Sequence, residues 1–196
     1  MHIPHERVVS EAVFDHSGEF FLTACDDGIA RLFNVFEKDP LLLLQHSLEH
    51  DLNAVCFLNE SNEILTASGD GTVVIWDRRS GERRRELRPH KPSPLFHVAY
   101  HAFADEIVIA TADEEGNVML WDAKTCEVLG CIDHPMRVTY LAFDPSGSLL
   151  ATACDDGHGR VWRWREHTDR YLTQSLKNAT QLPMLPDQEE LPIDQA

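Results

Sequence analysis

The chain has 196 residues, 43% of them hydrophobic, and carries a formal net charge of −16. That length and apolar fraction suffice to bury a core without disulfide or metal staples, while the acidity repels nucleic acid. No apolar run approaches a membrane span (Leu41 to Leu44 is far too short), and the polar start Met-His-Ile-Pro-His lacks a secretory apolar segment.

In chain order, four units follow one plan. The first opens at His5, continues through the apolar run VVSEAVF and the turn Asp15-His16-Ser17-Gly18, and reaches FLTACDDGIARLFN before an outer strand at Leu41 to Gln45. The second runs from His50 through LNAVCF and ILTASGDGTVVIWD to Glu82–Leu87. The third runs from His90 through LFHVAY and IATADEEGNVMLWD to Val128–Ile132. The fourth runs from His134 through VTYLAF, the turn Asp144-Pro145-Ser146-Gly147 and LATACDDGHGRVWR to a weak strand at Tyr171–Leu176. These are strand and turn signals.

The turn acids Asp27, Asp70, Glu115 and Asp156 are each followed six residues later by Phe33, Trp76, Trp121 or Trp162, and successive acids lie 43, 45 and 41 residues apart. That period suits a propeller blade. Third strands such as Thr72 to Trp76 are apolar at odd and even positions alike, which predicts cover on both faces from neighbouring blades.

On these residues the chain resembles the WD-repeat family over about residues 5 to 174. The expectation is an all-β WD-repeat β-propeller of four recognisable blades (5–49, 50–89, 90–133 and 134–174) within a region 1–174, whole or partial. Blade two matches best, with His50, Ser68, Asp70 and Trp76 at the family's four structural positions. The resemblance implies a buried relay in which Asp accepts, imidazole passes on and indole N–H donates. It assigns scaffold roles to His5 and Asp27, to His90, Glu115 and Trp121, and to His134, Asp156 and Trp162. Blade one departs, with Cys25 at the hydroxyl position and Phe33 for the indole, so its relay is expected to stay open. Blade four has Cys154 at the hydroxyl position. Blade three sets Asp113 beside Glu115, where two acids repel or share a proton.

Four blades fall at the low end for a closed ring. A fragment or short isoform, a half-propeller completed by another propeller chain, and a strained four-blade ring are the alternatives, and open terminal blades would expose apolar faces.

Residues 78 to 91, RRSGERRRELRPHK, hold seven of the seventeen basic residues. They read as a charged edge strand, or as a contact for an acidic protein or for RNA, the last disfavoured because stacking aromatics are not interleaved. Ile64 to Arg79, ILTASGDGTVVIWDRR, resembles the box ending in Trp-Asp-x-Arg of WD-repeat substrate receptors in cullin-RING ubiquitin ligases. The resemblance implies that Asp77 and Arg79 contact the ligase's large propeller adaptor, with Asp70 and Trp76 in support. A guanidinium forks onto carboxylate or carbonyl oxygens in a fixed plane, so lysine is a poor substitute. By the same resemblance, Arg7, Asp51, Asn53, Pro94, Phe96 and Arg137 line a partner groove on one rim.

No enzyme signature emerges. His97 and His101 are four apart on a strand face without the Glu of a zinc-protease helix, Cys126 and Cys131 lack a partner pair, and no glycine-rich phosphate loop occurs. No metal or cofactor is expected. Five cysteines without a C-x-x-C pair point to reduced thiols and hence the cytosol or nucleus. The tail over 175–196 is acidic and proline-containing, and is expected to be disordered. The function expected is a non-catalytic protein scaffold: a ligase substrate receptor, or else a subunit of a ubiquitin-unrelated complex in RNA processing, chromatin or cilia.

Overall fold

Period-two apolar patterning broken by Asp- and Gly-bearing turns yields an almost purely β architecture. The structure, a computed structural model, describes residues 2–58, 62–89, 91, 93–103, 106–165 and 168. The weak strand at Tyr171–Leu176, the tail and His90 lie outside the described residues.

Blade one is β1 (Val9–Phe14), β2 (Phe20–Cys25), β3 (Ile29–Asn34) and β4 (Leu42–Gln45), and blade two is β5 (Leu52–Leu58), β6 (Glu63–Ser68), β7 (Val73–Asp77) and β8 (Arg83–Leu87). Blade three is β9 (Leu95–Ala102), β10 (Ile107–Asp113), β11 (Asn117–Asp122) and β12 (Val128–Asp133). Blade four shows β13 (Val138–Phe143), β14 (Leu150–Cys154) and β15 (Gly159–Trp162) among the described residues. Each sheet is a meander with strands in chain order, the antiparallel pattern that short hairpins permit. These are four β-propeller blades.

The chain divides into two compact units, Met1–Val98 and Ala99–Ala196, the division falling within β9. In the first unit, Leu22, Ala24, Leu32, Leu44, Leu52, Val55, Ile64, Val74 and Trp76 form one buried core. In the second, Val108, Ala110, Leu120, Ile132, Val138, Leu141, Leu150 and Trp164 form another.

The expectation of cover on both faces is met in β7, where the first four of five residues are buried. It fails in blade four, whose third strand, β15, alternates exposed and half-buried residues, with Val161 44% exposed. β14 beside it alternates buried and exposed residues.

The predicted turns form as their residues dictate. Gly18 and Gly147 sit at φ +72 and +68, and their N–H groups reach the carbonyls of Asp15 and Asp144. In blade one the glycine after the acid pair has a second reason: a Cβ on Gly28 would stand 1.9 Å from the Ser47 carbonyl oxygen. The strand-to-strand linker lies directly on that turn, and the His46 and Ser47 N–H groups both donate to the Gly28 carbonyl.

Candidate functional site

The relay of blade two forms, but from different residues than expected. Trp76 Nε1–H donates to Thr66 Oγ1 (2.8 Å), Thr66 Oγ1 lies 2.6 Å from His46 Nδ1, and His46 Nε2 lies 2.9 Å from Thr72 Oγ1. Thr72 in turn donates to Asp70 Oδ1 (2.7 Å). With the His46 proton on Nε2, every member passes one hydrogen bond in the same direction, so each buried polar group is satisfied. Burial alone would raise the Asp70 carboxyl, but the His46 ring and the Thr72 hydroxyl outweigh it and hold it well below the ordinary carboxylate range.

The histidine is therefore His46, not His50, and the hydroxyl is Thr66, not Ser68. His50 is exposed, and Ser68 Oγ donates to the Asp51 carbonyl (3.0 Å). The reason is loop length. His5 and His134 precede their blades' first strands by four residues, and His46 precedes β5 by six; the two extra linker residues leave His50 close to β5 but too late to reach β6.

The same shift applies throughout, because each second strand carries a Thr two residues before the position chosen from sequence. In blade one, His5 Nε2 lies 2.9 Å from Thr23 Oγ1, but the indole is replaced by Phe33 and the bridging hydroxyl of Thr72 by Ile29. Phe33 instead packs edge-on against the His5 ring. In blade three, Trp121 donates to Thr111 (3.0 Å). Buried Asp113 accepts from the Asn117 backbone and amide (2.7 and 2.8 Å), and Glu115 is exposed. In blade four, His134 Nε2 and Trp162 Nε1 meet Thr152 Oγ1 at 2.8 and 3.1 Å.

Asp27 and Asp156 stand outside any relay. Each is clipped by an arginine four residues on, Arg31 at 2.5 Å and Arg160 at 2.6 Å. Burial would raise Asp27, yet the Arg31 guanidinium holds it below its usual range, and Arg160 first of all does the same to Asp156.

His134 carries a pH dependence. Burial, helped by the Arg160 charge, lowers its affinity for a proton below the ordinary imidazole value. The unfolded chain therefore binds a proton at this position more readily than the folded one, so stability present above about pH 6.5 is lost as the pH falls below it. His134→Gln is expected to flatten the slope of melting temperature between about pH 6.5 and 5 relative to wild type; an unchanged slope would remove His134 as its source.

Most of the basic stretch is spent internally. Arg78 pairs with Asp15 (2.7 Å) and lies between the Phe20 and Phe57 rings, 4.8 and 4.7 Å from their centroids. Arg78 thereby joins blade one to blade two. Arg83 donates to the His46 carbonyl (2.9 Å) and covers Trp76. Arg84 pairs with Asp77 (2.7 Å), Arg85 with Glu63 (2.6 Å) and Arg88 with Glu86.

Arg79 differs. Its side chain is exposed and has no ion pair among the described residues, while its backbone N–H and that of Ser80 donate to Asp77 Oδ1 (2.9 and 2.8 Å). Asp77 is held below the usual range by the Ser80 N–H first, then Arg84 and the Arg79 N–H. Its carboxylate is thus committed to the turn that presents Arg79.

The rim residues lie at the other end of the sheets. Asp51 and Asn53 are at the start of β5, which pairs with the end of β6 (Leu52 with Ser68), whereas Asp77 pairs with Glu63 at the start of β6. Arg7 is exposed two residues before β1. Asn53 donates its amide to the Leu95 carbonyl (2.7 Å), next to half-buried Phe96. In the second unit, Arg137 pairs with Asp155 (Nε to Oδ2, 2.7 Å). Between strands in the first unit, Glu11 accepts from the Val55 N–H (2.8 Å) and lies 3.3 Å from His97 Nε2, a contact not anticipated from the sequence.

Burial and the Asp133 carboxylate push the Cys131 thiol up, away from the reactive thiolate. Among the described residues, no group of three or more His, Cys, Asp or Glu side chains has the geometry of a metal site.

Residues 2–34, 42–77 and 126–163 match the family model described as "WD domain, G-beta repeat". The chain is 24% identical over 168 residues to a "Guanine nucleotide-binding protein subunit beta" of Arabidopsis thaliana, covering 82% of this chain and 44% of that one. It is 34% identical over 186 residues to "Denticleless protein homolog A" of Xenopus laevis, covering 76% of this chain and 26% of that one. The chain thus spans half or less of these relatives' length. The crystal structure of the computationally designed Ika4 protein superposes with a TM-score of 0.70 at 20% identity, over 82% of this chain and 93% of that one, a likeness of fold alone.

Proposed function

We propose, from the premise that this chain belongs to the WD-repeat family, that it is a non-catalytic protein-binding scaffold acting as the substrate receptor, or part of the receptor, of a cullin-RING ubiquitin ligase. The observation that carries the reading is the exposed guanidinium of Arg79, without an ion pair among the described residues and held out by a turn pinned through Asp77, at the end of the Trp-Asp-x-Arg box. A cation whose neighbours are all paired is available to a partner's carboxylate or carbonyl. In this reading Asp77 presents Arg79 rather than touching the adaptor itself. The opposite rim of the first unit, with Arg7, Asp51, Asn53 and Phe96, is left for the target. The protein works in the cytosol or nucleus, where its free cysteines stay reduced.

A ubiquitin-unrelated scaffold is the second reading, favoured by the similarity to a subunit of a guanine nucleotide-binding protein. RNA contact through residues 78 to 91 is weakened, since five of the seven basic side chains there pair or donate within the fold.

Affinity purification of wild type, Arg79→Ala and Arg79→Lys at matched expression tests the receptor reading. The ligase adaptor is expected with wild type and lost at least about tenfold with both variants, as for a central arginine anchor. Adaptor recovered equally from all three would sink it, and a different complex recovered equally from all three would point to the second reading.

A further inference from the structure

The turn that presents Arg79 has a counterpart in blade one. The repeat aligns Phe33-Asn34-Val35-Phe36 with Trp76-Asp77-Arg78-Arg79, and the hydrogen bonds agree. Phe36 N–H donates to Asn34 Oδ1 (2.9 Å) as Arg79 N–H does to Asp77 Oδ1 (2.9 Å). Val35 N–H and Arg78 N–H both reach carbonyls preceding a second strand, those of Glu19 and Asn62. At the position where blade two holds out a guanidinium, blade one holds out a phenyl ring that is 86% exposed.

Arg78 brings the two turns to one edge of the first unit. Its guanidinium stacks on Phe20, and Phe20 is the strand partner of Asn34, the residue that pins the Phe36 turn. A lone exposed phenylalanine needs no explanation. An aromatic ring and an arginine without an ion pair among the described residues, on turns of adjacent blades both fixed by side-chain caps, have the composition of an interface anchor.

We propose that Phe36 and Arg79 form a single docking epitope for a protein surface that sets a carboxylate beside an apolar pocket. The charge pattern selects that chemistry: Arg78, Arg84, Arg85 and Arg88 are neutralised within the fold, whereas exposed Arg79 has no ion pair among the described residues and shares this edge with the exposed Phe36 ring. The proposal rests on the receptor reading for the role of Arg79 and extends the contact to a second blade.

The test titrates the purified ligase adaptor against wild type, Phe36→Ala and Arg79→Ala, with melting curves confirming that all three stay folded. Both variants are expected to weaken binding by roughly tenfold or more without a shift in melting temperature. Loss with Arg79→Ala but not with Phe36→Ala overturns the epitope and leaves the receptor reading standing; loss with Phe36→Ala alone overturns both. If wild type does not bind the adaptor, the receptor reading fails. A photo-crosslinking amino acid at position 36, and separately at 79, then decides on the epitope. Capture of one identified partner from both positions, through peptides that join acidic and apolar residues, supports it; different partners, or none, overturn it.

Discussion

Trp76→Ala is expected to destabilise the chain by about 3–5 kcal/mol, read as a lower urea midpoint with an unchanged slope. The indole is buried in the core shared by blades one and two, so truncation removes a large apolar volume and leaves a cavity. It also deprives Thr66 of its donor. Trp76→Phe should cost less, because it keeps most of the packing and imitates Phe33 of blade one, but it still loses the N–H. The relay identifies its own control. His46→Ala removes one hydrogen bond each from Thr66 and Thr72, which keep Trp76 and Asp70, and is expected to cost about 2–3 kcal/mol, at about 1 per lost bond plus the packing of the buried ring, whereas His50→Ala on the exposed linker should stay within about 0.5. Equal effects at the two histidines would refute the assignment.

Arg78→Ala is expected to cost about 2–4 kcal/mol, near the range for breaking a buried ion pair. Asp15 is almost fully covered, with 6% of its side chain exposed, and would lose the guanidinium while still bonded to Ser17 and the Phe20 N–H. Two aromatic rings would lose a cation between them. Arg78→Lys is not expected to rescue, since a compact ammonium cannot fill the planar slot between Phe20 and Phe57. The pH dependence has a defined sign. Burial works to raise the Asp15 carboxyl, but Arg78 and the hydrogen bonds prevail and depress it. Its contribution is therefore complete above the unfolded value of about 3.9 and fades as the pH falls through the folded one. A double-mutant cycle of Arg78→Ala with Asp15→Asn should show coupling at neutral pH; additive effects would mean that the pair contributes nothing.

Blade count, strand order and hairpin turns were legible because they depend on local residue types recurring at a fixed period. The relay was legible in its indoles and in Asp70, and illegible in its histidine and hydroxyl. Sequence spacing counts residues, whereas reach depends on linker length and on which face a strand residue occupies. Thr66 and Ser68 share a face of β6, and only their pairing separates them: Thr66 lies opposite Val74, beneath Trp76, while Ser68 closes the edge opposite Leu52. A Thr at the same place in all four second strands was the available signal. Arg78 was unreadable for another reason. Its partners Asp15 and Phe20 are about sixty residues away, and no local pattern marks a cation that will be enclosed. Trp164 is similar: it is the largest fully buried side chain among the described residues, donates to the Gly147 carbonyl (2.8 Å), and lies beyond the repeat that drew attention to Trp162.

The two ways of holding a turn acid bear on how such chains can be rearranged genetically. Asp27 with Arg31, and Asp156 with Arg160, lie within five residues of each other, so any crossover that copies or transplants the hairpin carries the pair intact. Asp70 depends instead on His46, which follows β4 directly and is anchored by its N–H to Gly28 of the preceding blade. A recombination boundary placed at the start of β5 would strand the acid from its imidazole. Blades one and four are thus transferable cassettes, whereas blade two is inherited only together with the linker that precedes it.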